Sequence, residues 1–141
     1  MADQNSSPNV LICIVHDIGT SLGCYGNDAI TSPRFDRFAR EGVRFDAHFC
    51  TAPYCSPSRG SIITGKYPHV NGLMGLVNIG WNLPASNTTD ATRFGEAGYE
   101  TALFGYQHEA KDPKDLGFET VNIAGGSSAN AATPNIVEYL E

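Results

Sequence analysis

The segment from residue 55 to residue 69 has the sequence CSPSRGSIITGKYPH and decides how the middle of the chain folds. Pro53 and Pro57 bracket a turn, and residues 58–64 have the composition of a short helix. Cys55 is therefore predicted at a junction between a loop and the start of a helix. A helix N-terminus presents unpaired backbone N–H groups and a partial positive charge, so an anion can bind beside Cys55.

Outward from this junction, predicted strands and helices alternate. On the N-terminal side, the apolar run Val10–Val15 predicts a buried parallel strand. Ser32 and Pro33 are the cap and first residue of a predicted helix that ends at Gly42. Residues 43–45 then predict another strand.

The alternation continues on the C-terminal side. Residues 90–97 predict a helix and residues 101–104 a strand. The small residues of segment 124–132 predict an exposed loop, after which Thr133 and Pro134 start a last helix. This order favours an α/β fold with a largely parallel sheet, in which ligands gather at the carboxyl ends of the strands.

Charge and composition exclude several classes of protein. The 141 residues include 9 Lys and Arg against 15 Asp and Glu, and a net charge of -6 offers no basic surface for nucleic acid or anionic lipid. The start of the chain is polar, and no apolar stretch is long enough for a membrane span. We expect a disordered tail over residues 1–7 and no nucleic-acid or membrane partner. As written, the chain is expected in the cytoplasm, or in the periplasm or outside the cell if a leader was removed.

The four cysteines include no CxxC pair, so the sequence gives poor support to a zinc site. Cys13 lies in the apolar run VLICIV, and we expect both Cys13 and Cys24 to be packing residues. Taken alone, Cys55 is an ordinary free thiol or the disulfide partner of Cys50. The residues around Cys55 favour a chemical role instead.

The segment Cys55–Arg59 resembles the CxPxR signature of type I sulfatases, and the following TGKYPH resembles that family's TGxYPH continuation. Three other segments look like the family's N-terminal blocks in their usual order: PNVL at 8–11, CYG at 24–26 and SPRFDRFAREGVRF at 32–45. The resemblance extends from Pro8 to about His108. It implies an alkaline-phosphatase-like α/β sandwich with a largely parallel central sheet, of which residues 8–141 are the N-terminal part.

The resemblance also implies that a formylglycine-generating enzyme oxidises Cys55 to formylglycine. A hydrated aldehyde carries two hydroxyls on one carbon, so one can attack the sulfur of a sulfate ester while the other later loses its proton and expels sulfate. A serine would be left as a stable sulfate ester. Arg59 lies one helical turn beyond Cys55, where its guanidinium can pair with the alkoxide or with the sulfate oxygens.

His16 and Asp17 end the first predicted strand. The sulfatase family usually has two adjacent Asp residues here, and both bind a calcium ion. Asp17 matches the second and His16 departs from the first, while Cys55 in its oxidised form is a further expected metal ligand. Because calcium prefers oxygen ligands, three alternatives stay open for His16. It binds calcium weakly, it selects another divalent metal, or its side chain contacts a different group. The alternative for Asp17 is a turn cap after the strand.

The segment GYQH at residues 105–108 follows a predicted strand, where the family commonly has GKxH. His108 matches the family histidine that contacts the nucleophile or the leaving oxygen, and the alternative is a polar loop residue. Tyr106 stands where a sulfate-binding lysine is expected. A neutral phenol cannot replace an ammonium charge, so sulfate binding at this point is altered.

Residues 71–76, NGLMGL, are similar to the segment after the active-site block in sulfamidases and in related bacterial sulfatases. The resemblance implies a sulfuric ester or sulfamate hydrolase that acts on small-molecule or oligosaccharide sulfates, with sulfated amino sugars favoured. The alternative for residues 71–76 is a loop whose apolar residues pack on the sheet. Two other functions stay open: a phosphonate monoester or phosphodiester hydrolase of the same superfamily, and a catalytically silent piece of a longer chain.

Overall fold

A computed structural model describes residues 7–124 and 126–141. The described residues form two compact units, one that ends at His48 and one that begins at Phe49. Residues 1–6, which make up most of the tail that we expected to be disordered, lie outside the described residues. No helix in the described ranges is both long enough and apolar enough to cross a membrane.

The first unit contains helix α1, Pro33–Glu41. Pro33 occupies its first turn, as predicted, because proline has no N–H group to leave unpaired there. The Ser32 hydroxyl accepts a backbone N–H from the 3-10 turn Gly23–Tyr25 at 2.9 Å, which joins that turn to the start of the helix. Gly42 follows the last helical residue, so the predicted end of the helix is confirmed.

The two strands predicted in the first unit, at Val10–Val15 and at residues 43–45, are wrong. Both segments are irregular, and their apolar side chains are exposed, with Leu11 at 78% and Val43 at 79%. A strand is stabilised by neighbouring strands that complete its hydrogen bonds and by elements that cover its faces. Within the described part of this unit, residues 7–48, no strand is present to pair with either segment.

The second unit begins with three helices. They are α2, Cys55–Thr64; α3, Pro68–Asn71; and α4, Asp90–Glu96. Gly65 ends α2 in the left-handed conformation at φ 65°, which glycine adopts without a steric penalty. The Thr89 hydroxyl caps α4 by accepting the Thr92 N–H at 3.2 Å. The predictions of helices at residues 58–64 and 90–97 are confirmed, although α2 begins at Cys55 itself.

The sheet of the second unit is a pair of short parallel strands, β1 at Ala102–Phe104 and β2 at Thr120–Asn122. The sequence predicted β1, whose residues ALF are all apolar, but not β2, whose residues TVN include a single apolar side chain and so give little hydrophobic signal. A 3-10 turn at Val77–Ile79 precedes the two strands in the chain, and another at Pro113–Leu116 lies between them. Helices together with a parallel strand pair are consistent with the α/β class, while the full sandwich stays a prediction.

The last helix, α5, covers Ala129–Leu140 and so begins before the predicted start at Thr133. Alanines at its start have high helix propensity, which explains why the expected loop is shorter than predicted. Pro134 therefore lies inside the helix, where it cannot donate a backbone hydrogen bond. The Thr133 hydroxyl donates to the Ala129 carbonyl at 2.6 Å in this same turn.

A small core joins the helices of the second unit to its sheet. Its buried members are Leu73, Leu83, Ala110 and Leu116. Ile63 of α2 and Leu103 of β1 both pack against this cluster, so the core holds α2 beside β1. A Cβ added at Gly60 would lie 2.9 Å from the Leu73 side chain, which explains why glycine occupies that position of α2.

Candidate active site

Cys55 is the first residue of α2 and is half-buried. Tyr54 precedes it in extended conformation and gives the helix no side-chain cap. The first helical N–H groups have no partner within the helix, and Pro57 has no N–H at all. The Cys55 side chain thus lies at a helix terminus whose N–H groups and dipole favour an anion.

His108 reaches Cys55 from the loop that follows β1. Its Nδ1 lies 3.1 Å from the Cys55 Sγ. Gly105 starts this loop with a φ of 80°, and its N–H donates to the Asn122 carbonyl of β2 at 2.9 Å. The Gln107 side chain then holds the loop, since its Oε1 accepts the Ala110 N–H at 3.1 Å. The carboxyl end of a parallel strand therefore presents a fixed imidazole to the start of α2.

Arg59 lies in α2, about one helical turn after Cys55, and is buried, with 7% of its surface exposed. Its Nη1 donates to the Tyr106 carbonyl at 3.3 Å and lies 3.5 Å from Glu109 Oε1. These are the two polar contacts that Arg59 makes with described residues, and both use Nη1. The Nε and Nη2 groups of the guanidinium are the donors that can serve an oxyanion.

Tyr106 contributes an aromatic ring to the site as well as its carbonyl. The Arg59 guanidinium lies 5.3 Å from the centre of this ring, and the His108 ring lies 5.4 Å from it. Burial raises the pKa of Tyr106 above its usual value of 10.0, and the neighbouring Cys55 adds to that rise while Arg59 opposes it. The phenol is therefore neutral at physiological pH.

Glu109 is a site residue that sequence reasoning missed. It is 3% exposed, and its carboxylate contacts both Arg59 and the backbone N–H of His108, the latter at 2.5 Å. A glutamate in a polar loop is expected in solvent, so its own position gave no signal. The available signal was Arg59 itself, because an arginine on a buried helix face requires a carboxylate partner.

His16 and Asp17 lie in the first unit and contact each other, with His16 Nδ1 2.9 Å from Asp17 Oδ2. The Asp17 side chain is 88% exposed. Its backbone φ is 54°, a left-handed conformation that Asp tolerates better than most residues. Across residues 7–124 and 126–141, no group of three or more His, Cys, Asp or Glu side chains is gathered to hold a metal ion.

The geometry of the second unit brings Cys55, Arg59 and His108 into one cluster. A nucleophile there would have a helix terminus beneath it, an imidazole within hydrogen-bond distance and a guanidinium nearby. Such a set can stabilise negative charge on a tetrahedral oxyanion and can supply or accept a proton. The proposed ligands His16 and Asp17 belong to the other unit.

The chain is similar to known sulfatases along most of its length. The family model described as Sulfatase matches residues 8–141. The chain is 36% identical to arylsulfatase H of Homo sapiens over 74% of its length, and 40% identical to steryl-sulfatase of Mus musculus over 72%. It is 32% identical to N-acetylglucosamine-6-O-sulfatase of Bacteroides thetaiotaomicron over 88%.

These matches cover 20%, 18% and 22% of the three relatives, so the chain spans about a fifth of their length. Cys55, Arg59 and His108 all lie within the part of the chain that the family model matches. The chain belongs to the sulfatase family.

Proposed function

We propose that the complete protein containing this chain hydrolyses sulfuric esters with a formylglycine made from Cys55. The observation that carries the proposal is the contact of Cys55 with His108 at the start of α2, inside a chain that matches the sulfatase family along nearly all its length. Formylglycine would supply a hydrated aldehyde whose one hydroxyl attacks sulfur and whose other hydroxyl allows sulfate to be expelled.

His108 is the proton-transfer residue in this proposal. When the ester bond breaks, the leaving oxygen takes up a proton, and when sulfate is expelled the remaining hydroxyl gives one up. An imidazole 3.1 Å from the Cys55 Sγ is near enough to serve the reacting group at that position. His108 can therefore donate in one half of the reaction and accept in the other.

Arg59 is the charge-stabilising residue. Negative charge develops on the non-bridging sulfate oxygens and on the leaving oxygen, and a buried guanidinium interacts with such charge more strongly than an exposed one. The N–H groups at the start of α2 act in the same direction. Tyr106 adds a neutral ring where the family pattern has a lysine, so Arg59 provides the cation of this cluster.

We propose that Asp17 and His16 contribute to a divalent-metal site of the complete protein, with calcium as the first candidate. The exposed carboxylate of Asp17 suits a hard cation, and the contact with Asp17 keeps His16 beside it. A bound divalent metal would supply Lewis-acid chemistry towards an anionic group. Because calcium takes about six to eight oxygens, further ligands would come from other parts of the protein.

The proposed substrate is a sulfated sugar. The similarity to a protein named N-acetylglucosamine-6-O-sulfatase covers 88% of the chain and supports this class. Residues 71–76, which resemble sulfamidases, have a packing role in the structure: Leu73 is fully buried, while Met74 is 52% exposed. A sulfamate substrate thus depends on the resemblance alone, and a sulfate ester is the better-supported choice.

The test is turnover by the complete protein after co-expression with a formylglycine-generating enzyme. We expect faster release of the phenol from an aryl sulfate than from an aryl phosphonate monoester. The opposite preference would assign the site to phosphonate or phosphodiester hydrolysis. Turnover of neither compound by protein with a verified aldehyde would contradict the proposal.

A further inference from the structure

Glu109 connects two residues of the cluster through its two carboxylate oxygens. Oε1 lies 3.5 Å from Arg59 Nη1, and Oε2 accepts the backbone N–H of His108 at 2.5 Å. Arg59 comes from α2, whereas His108 comes from the loop after β1. One side chain therefore links the helix that begins at Cys55 to the loop that carries the imidazole.

The two charged side chains that form this link are both buried. The side chains of Arg59 and Glu109 are 9% and 5% exposed. Two opposite charges taken out of water are favourable only when each keeps its partner in good geometry, so removal of either charge leaves the other uncompensated. The Arg59 guanidinium is thus restrained by Glu109 and by the carbonyl and ring of Tyr106.

The main chain of Glu109 is fixed as well. Its N–H donates to Gln107 Oε1 at 3.0 Å, and its carbonyl accepts the Leu83 N–H at 3.0 Å. Leu83 belongs to the buried core, so the carboxylate extends from a backbone anchored to that core. A carboxylate held in this way can fix its partners within the tolerance that catalysis requires.

We propose that Glu109 is a positioning residue of the active site, which sets the guanidinium of Arg59 and the loop of His108 relative to Cys55. This inference depends on the proposed sulfatase function. Because Glu109 contacts Arg59 at Nη1, the Nε and Nη2 donors are the ones left for the sulfate oxygens. Its negative charge also offsets that of Arg59 in the absence of substrate, which limits how tightly the site holds the sulfate product.

The experiment compares Glu109→Gln and Glu109→Asp with Glu96→Gln in the complete, matured protein. Glutamine keeps the size of the side chain and an acceptor for the His108 N–H but loses the charge, and Glu96 is an exposed residue of α4 that provides the control. With rates normalised to the aldehyde content, we expect kcat of Glu109→Gln to fall by about 10–100-fold while KM does not rise. Glu109→Asp should recover part of kcat, and Glu96→Gln should match the wild type.

A second comparison separates positioning from general stabilisation. If Glu109 acts through Arg59, then Glu109→Gln in an Arg59→Lys background should lower kcat by much less than it does alone. Full additivity of the two losses, or a wild-type kcat for Glu109→Gln, would overturn the proposal. Inactivity of the wild-type matured protein would instead count against the sulfatase function itself.

A measurement on the wild-type protein keeps the test decisive if the variants fold poorly. The His108 N–H is donated to a buried carboxylate, so residue-resolved hydrogen exchange should find it protected. Exchange at the rate of an unprotected loop amide would show that the link from Glu109 to His108 is not present in solution.

Discussion

The Sγ of Cys55 and the Nδ1 of His108 lie 3.1 Å apart although the two residues are 53 positions apart in the sequence. One is at the start of α2 and the other is in the loop after β1, and the core around Leu73 holds these elements together. This contact explains why a cysteine between two prolines and a histidine in a polar loop can belong to one reaction centre.

Replacement of His108 tests its role in proton transfer. His108→Asn should lower kcat for an aryl sulfate by about 10²–10⁴-fold, because the leaving oxygen loses its positioned acid. His69→Asn is the control, since His69 is exposed and stacks on Tyr67. If His108→Asn retains wild-type kcat, proton transfer must be assigned to another residue.

The pKa of Tyr106 gives a prediction for alkaline pH. Burial raises this pKa above 10.0, so the folded protein holds the phenol proton more tightly than the unfolded chain does. The resulting stability is present below about pH 10 and is lost as the pH rises through the folded pKa. An ultraviolet absorbance titration of wild type minus Tyr106→Phe should therefore have its midpoint above 10.0. A midpoint at or below that value would show that the ring is not buried in the site.

The packing of the second unit can be tested at two neighbouring residues. Leu73 is 0% exposed and belongs to the core, whereas Met74 is 52% exposed. In the complete protein, Leu73→Ala should lower the free energy of unfolding by about 2–5 kcal/mol. Met74→Ala should change it by no more than about 0.5 kcal/mol. Equal effects in denaturant unfolding would mean that Leu73 does not fill a core.

We expect residues 1–141 expressed alone to be inactive and poorly stable. Many large apolar side chains are exposed, Phe49 at 83% among them, and a sheet of two short strands gives little independent stability. Light scattering should detect association, and heating should give a broad transition. A monomer that unfolds sharply and releases sulfate when calcium is added would contradict this expectation.

Local signals in the sequence predicted the elements that local chemistry determines. Pro33 and Gly42 bound α1 as expected, and Gly65 ends α2. The wrong or missing predictions are at strand segments, whose conformation depends on a neighbouring strand. The run Val10–Val15 has strand composition, yet no described segment of its unit pairs with it, and β2 exists because it lies beside β1.

In the active site, too, residues with a local sequence pattern were predicted and a residue placed by tertiary packing was not. The CxPxR segment indicated Cys55 and Arg59, and the GYQH segment indicated His108, because each has a recognisable spacing. Glu109 had no such pattern. Its place in the site follows from tertiary packing, which brings its carboxylate to an arginine 50 positions earlier in the chain.

The most direct test of the central claim is mass spectrometry of the peptide that spans residues 53–66. The complete protein would be co-expressed with a formylglycine-generating enzyme, and a Cys55→Ser variant would serve as the control. We predict an aldehyde at Cys55 in the wild type, detected by its mass and by its reaction with a hydrazide, and none in the variant. An unmodified thiol at Cys55 under these conditions would contradict the assignment of this residue as the precursor of the nucleophile.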